Sequence, residues 1–189
     1  MITMSPISEK KPVVILLAIL FTISAITIGY IALGFWPAFI FTFGYLGGLI
    51  IWLFMPMKVS FKQIAAGYFV TLALFVVHKF EEREYGFFPA LSEITGVPVP
   101  EASSLPAILL YIIAAIWLFI PLFIWKRYAF GYYLAWTFFA SMGITELAHF
   151  VFPLFRNQPY GYFPGMWSVI GLAPAAWFGM WCLSTKTRN

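Results

Sequence analysis

Apolar residues in this chain come in long unbroken runs, neither alternating nor confined to one helical face. Six runs stand out, over residues 12–33, 36–56, 62–80, 104–125, 128–150 and 164–184. A bilayer core takes about 20 apolar residues in helical form. Helices are the expected form, because lipid offers no partner to an unpaired backbone group. The continuity of the runs argues against a membrane β-barrel, whose strands alternate. The first run follows Lys10 and Lys11, as a signal-peptide core would. It is too long for such a core and no small-x-small site closes it, so it is read as a span.

The connections are short except for residues 81–103, which mix charge with Gly and Pro, and 151–163, rich in aromatics and turn formers. Loop charges set the expected orientation. With both termini in the cytoplasm, the inner set is Lys10, Lys11, Lys58, Lys62, Lys126, Arg127, Lys186 and Arg188. The outer set is then only Lys79, Arg83 and Arg156. Both long connections fall outside, and the first, third and fifth spans run outward.

Composition agrees with this pattern. Of the 189 residues, 62% are hydrophobic and 10% charged, where a soluble domain carries about a quarter charged. That excludes a soluble globular domain and a disordered chain. The net charge of +4 rests on 11 scattered Lys and Arg, which excludes a nucleic-acid binder. A single cysteine, Cys182, excludes a disulfide framework and a Cys-based zinc site. The expectation is an all-α polytopic bundle of six transmembrane helices. It forms one integral domain over residues 1–189, in the plasma membrane, with the bilayer as its partner.

Ionisable residues within spans are costly and mark functional positions. Few exist here. There is no Asp, and among the seven Glu only Glu146 lies deep in an apolar run. The two histidines, His78 and His149, each sit three residues from a glutamate, in V-V-H-K-F-E-E and I-T-E-L-A-H-F. Positions three and four apart share a helix face. At 1.5 Å per residue, His78 lies about 24 Å along the third span and Glu146 about 27 Å along the fifth. If those spans touch, two imidazoles and two or three carboxylates converge near the outer interface.

Such a set suits zinc, iron or manganese. Glu-x-x-His is also half of the dimetal pattern of helical bundles, but too few carboxylates are nearby for two ions. One divalent ion is therefore expected. The candidate ligands are His78, Glu81, Glu146 and His149, with Glu82 as the candidate general base. A purely structural ion-pair network is the bland alternative. A haem held by one histidine from each of two helices is another. Gly44, Gly47 and Gly48 are read as packing positions. Pro164-Gly165 is read as the start of the sixth helix, which Gly171 and Pro174 are expected to kink.

His78-Lys79-Phe80-Glu81-Glu82 carries the H-x-x-E-E pattern and resembles the HXXEE domain family. Tyr162-Phe163-Pro164-Gly165-Met166-Trp167-Ser168, followed by Gly171-Leu172-Ala173-Pro174, is similar to that family's late Y-x-P-G…L-x-x-P segment. His149 stands where the family carries its second histidine. The resemblance covers roughly residues 70–180. It departs from the family at Glu146, near which many members carry Asn. It implies a multi-spanning membrane protein whose functional core includes His78, Glu81, Glu82 and His149, and it supplies no substrate.

Together these readings point to a metal-dependent membrane enzyme at the outer interface. The expected work is hydrolytic or acid–base chemistry on a lipid-like substrate. The alternatives are a proton- or metal-coupled transporter or binding protein using the same cluster, a haem protein, or an accessory subunit that only packs against partners.

Overall fold

The computed structural model describes residues 9–185, and every regular element in them is helical. Lys186 and Arg188, counted among the inner charges, lie outside the described residues. Two long helices, α1 (Pro12–Leu33) and α2 (Phe35–Phe54), meet at Gly34. Next come α3 (Phe61–Glu84) and a short helix α4 (Phe87–Thr95). The fourth span is α5 (Leu105–Ile116), a 3₁₀ turn and α6 (Ile120–Trp125). The fifth opens as α7 (Ala129–Gly143) and continues through 3₁₀ turns at Thr145–Phe150 and Phe152–Phe155. The sixth is α8 (Met166–Ser184). Six segments are thus long and apolar enough to cross a membrane.

Local sequence accounts for the ends. Ser60 and Gln63 form a capping box at the start of α3. Pro12, Pro106 and Pro121 stand in the first turns of α1, α5 and α6, where a missing N–H costs nothing. Lys10 donates to the carbonyls of Leu53 (3.0 Å) and Met55 (2.7 Å), satisfying groups left open at the end of α2. Pro164 lies ahead of the sixth helix instead of in its first turn, and α8 continues through Pro174.

The centre of the bundle is α7, buried on every side: all its residues except Phe130 are buried. It lies along α2 and α8, while α3 lies along α8 and makes only a narrow contact with α7. Close approach depends on small residues, as expected where lipid removes the hydrophobic drive for helix association. A Cβ at Gly48 would sit 2.7 Å from Thr137 Cα, inside contact distance with backbone that cannot swing away. Gly44 also faces α7, against Ser141 and Thr145, whereas Gly47 meets nothing within 4 Å. The expected packing role therefore belongs to Gly44 and Gly48 and not to Gly47.

Gly48→Ala is expected to force α2 off α7 and cost about 1–3 kcal/mol, lowering the melting temperature of detergent-purified protein by roughly 3–10 °C. Gly47→Ala should leave it unchanged. Thermal denaturation of both variants checks the assignment, and equal melting temperatures would refute it.

Candidate metal centre

Two short sequence stretches supply the site. His78 and Glu82 occupy the last turns of α3, four residues apart on one face. Glu146 and His149 come from the 3₁₀ turn that follows α7. The expected α-helix does not continue this far, and the cause is a side chain. The Trp177 indole N–H donates to Gly143 O (2.7 Å), the carbonyl that Leu147 would otherwise use. Leu147 N–H bonds Ile144 O instead, and the chain tightens. A 3₁₀ helix turns once every three residues, so Glu146 and His149 project one above the other.

The four side chains close on one point. Glu82 Oε1 lies 3.2 Å from His78 Nε2 and 3.3 Å from His149 Nε2. Glu146 Oε2 lies 3.2 Å from each of the same nitrogens. Each carboxylate thus touches both imidazoles, and the four ligand atoms all lie within 4.8 Å of one another. Ligands held 2.0–2.2 Å from one tetrahedral ion stand about 3.3–3.6 Å apart, so the four short spacings are close to what a single ion requires. His78 is fully buried and His149 is 2% exposed. This buried His/Glu group can hold a metal ion.

The outer ring nitrogens show which way the imidazoles face chemically. His149 Nδ1 lies 2.5 Å from Pro164 O, which can only accept, so Nδ1 carries a proton. Ser168 Oγ donates to Gly165 O (3.1 Å), which leaves its lone pair for His78 Nδ1–H at 2.8 Å. A neutral imidazole so held presents a bare Nε2 inward. In that neutral form two nitrogen lone pairs and two carboxylate oxygens face one another, a donor set that a cation would satisfy. Such carbonyl and hydroxyl partners are the usual outer support of ligating histidines. The metal-free form would need extra protons on the Nε2 atoms, giving a ring of imidazolium–carboxylate pairs.

Pro164-Gly165 therefore does more than begin a helix. Gly165 has φ +98°, and a Cβ there would sit 2.5 Å from His149 Cε1 and Nδ1 and 2.8 Å from His78 Cε1. Only a residue without a side chain lets this backbone lie against both rings.

The structure corrects the expected ligand set at one carboxylate. Glu81 is not in the cluster. It turns toward the start of α8, where Oε1 accepts from Tyr162 Oη (2.7 Å) and Trp167 N (3.1 Å) and Oε2 from Ser168 N (2.8 Å). Burial, then the bond to this carboxylate, raises the pKa of the Tyr162 phenol above its ordinary value. Glu82, expected as a separate base, stands among the ligand atoms. Its other oxygen, Oε2, binds Lys79 Nζ at 2.6 Å. Lys79, Ser168, Gly165 and the Pro164 carbonyl are participants that the sequence reading missed. For Lys79 the signal was available, since it stands three residues before Glu82.

Aromatic rings surround His149. Phe87, Phe152 and Phe163 lie 5.1, 6.0 and 6.0 Å from it between ring centroids. Phe87 belongs to α4, and Arg156–Glu93 at 2.8 Å ties that helix to the segment after the fifth span. The haem alternative does not fit. Its iron must sit between imidazoles on opposite faces of a flat macrocycle, and here Glu82 and Glu146 fill the gap between rings only 4.8 Å apart.

Comparison of the chain with protein-family models, with curated proteins and with solved structures finds no match.

Gly165→Ala is expected to push both imidazoles off their partners and cost about 2–4 kcal/mol from steric overlap and backbone strain. Loss of thermal stability together with loss of bound metal checks it. A variant as stable and as metal-rich as wild type would contradict the geometry.

Proposed function

We propose that the chain is a metal-dependent membrane enzyme that performs hydrolytic or acid–base chemistry on a lipid-like substrate. The observation that carries this reading is the His78–Glu82–Glu146–His149 quartet, with both imidazole Nε2 atoms turned inward while Nδ1 meets Pro164 O or Ser168 Oγ. Zinc, iron or manganese would suit the donor set. Such an ion supplies charge that polarises a substrate oxygen and makes water a nucleophile at neutral pH.

The chain's own residues divide the remaining work. His78, His149, Glu82 and Glu146 all hold the centre, and Glu82 also moves the proton, because Lys79 at its free oxygen is partly exposed and links it to the surface. Beside the site runs a shallow groove of about 580 Å³ between α3 and α8, lined by Val77, Phe80, Tyr85 and Trp167 together with Glu81, Glu84 and Ser168. Its aromatic and aliphatic side chains beside acidic groups suit a lipid-like substrate with an apolar tail and a polar head. With both termini in the cytoplasm, as the loop charges imply, groove and centre open at the outer leaflet of the plasma membrane. The H-x-x-E-E resemblance supports the same core residues.

A proton- or metal-coupled transporter is the second reading, since intramembrane His and Glu also build ion paths. The position of the charges favours the enzyme. The buried His and Glu gather at one end of the bundle, and α1, α2, α5, α6, α7 and α8 carry no charged residue.

Elemental analysis of purified protein should find close to one zinc, iron or manganese per chain, lost in His149→Ala and Glu146→Gln. Equal metal content in wild type and variants would refute the metal reading. Metal-loaded protein in phosphatidylethanolamine–phosphatidylglycerol vesicles should yield new lipid products by mass spectrometry, and His149→Ala should yield none. An unchanged lipid profile alongside ion flux would replace the enzyme by the transporter.

A further inference from the structure

We propose that Glu81 is a positioning residue for the metal centre, acting through Ser168 on His78; this rests on the metal reading above. The first turn of α8 has a capping problem. Its N-cap residue is Gly165, which has no side chain to accept the orphan N–H groups. Glu81 fills that role from the neighbouring helix, taking the N–H groups of both Trp167 and Ser168. A carboxylate is well placed there, against the positive end of a helix of 19 residues.

This capping fixes more than a helix end. Ser168 is held by its own N–H, and its hydroxyl meets both Gly165 O and His78 Nδ1. The residue before Gly165 contributes the carbonyl that holds His149 Nδ1. One carboxylate, itself outside the ligand shell, therefore anchors the segment that orients both ligating imidazoles. Loss of such outer partners commonly weakens metal binding 10–100-fold. The two glutamates of the motif thus have separate tasks: Glu82 faces the ion, and Glu81 holds the frame that aims the histidines.

A capping role limited to stability would give the same fold, so the test needs a readout of the centre itself. Cobalt(II) titrated into full-length protein in detergent reports four-coordinate binding by its visible absorption. Glu81→Gln and Ser168→Ala should each weaken cobalt binding by about 10–100-fold, and Ser168→Thr, which keeps the hydroxyl, should restore most of it. Gly48→Ala, whose added Cβ meets Thr137 and no residue of the centre, should lower the melting temperature and leave cobalt affinity unchanged. Wild-type affinity in Ser168→Ala or in Glu81→Gln would overturn the positioning role while leaving the metal reading intact. A parallel loss of affinity in Gly48→Ala would reduce the effect to stability and overturn it as well. A wild-type chain that binds no cobalt would overturn both readings.

Discussion

The structure turns on one electrostatic problem: two carboxylates converge inside a helical bundle made for lipid. An ion taken out of water loses several kcal/mol that only close, well-oriented partners return. Glu82 and Glu146 meet this cost together, each touching the same two imidazole nitrogens. Removing one partner would leave an uncompensated charge beside apolar rings, so the four side chains stand or fall as a unit. With both Nδ1 atoms committed to a carbonyl and a hydroxyl, each ring turns its Nε2 inward onto the two carboxylates, and the group so formed can hold a metal ion.

Other local features follow from keeping this unit in place. The helix α7 gives way to 3₁₀ geometry where Trp177 takes Gly143 O, which brings Glu146 and His149 into line. Gly165 adopts a left-handed conformation so that backbone can pass against two rings. The short helix α4 folds back and lays Phe87 on His149, shielding the centre on that side. Independently of the site, glycine at Gly48 lets α2 lie against the backbone of α7 at Thr137.

Much of this was legible in the sequence, for physical reasons. Spans are written in hydropathy because a bilayer leaves no alternative, so all six were found within a few residues of their ends. The cluster was legible because intramembrane His and Glu are rare and expensive. What was not legible depends on contacts distant in sequence. On a helix, Glu81 lies about 60° to one side of His78 and Glu82 about 40° to the other, so spacing alone cannot say which faces the ion. The choice is made by Tyr162, Trp167 and Ser168, some eighty residues away, whose donors capture Glu81. The start of α4 in a charged, Pro-bearing connection read as a loop, because its apolar face has meaning only against Phe152 and Phe163. The end of α7 read as α-helix because nothing nearby in the chain announces Trp177.

The most direct test of the central claim is X-ray absorption at the zinc edge of zinc-loaded, full-length protein. The account predicts one ion with two imidazole nitrogens and two carboxylate oxygens at about 2.0–2.2 Å, and no sulfur near 2.3 Å. A shell of oxygens without imidazole scattering, or one containing sulfur from Cys182, would show that this quartet is not a metal centre.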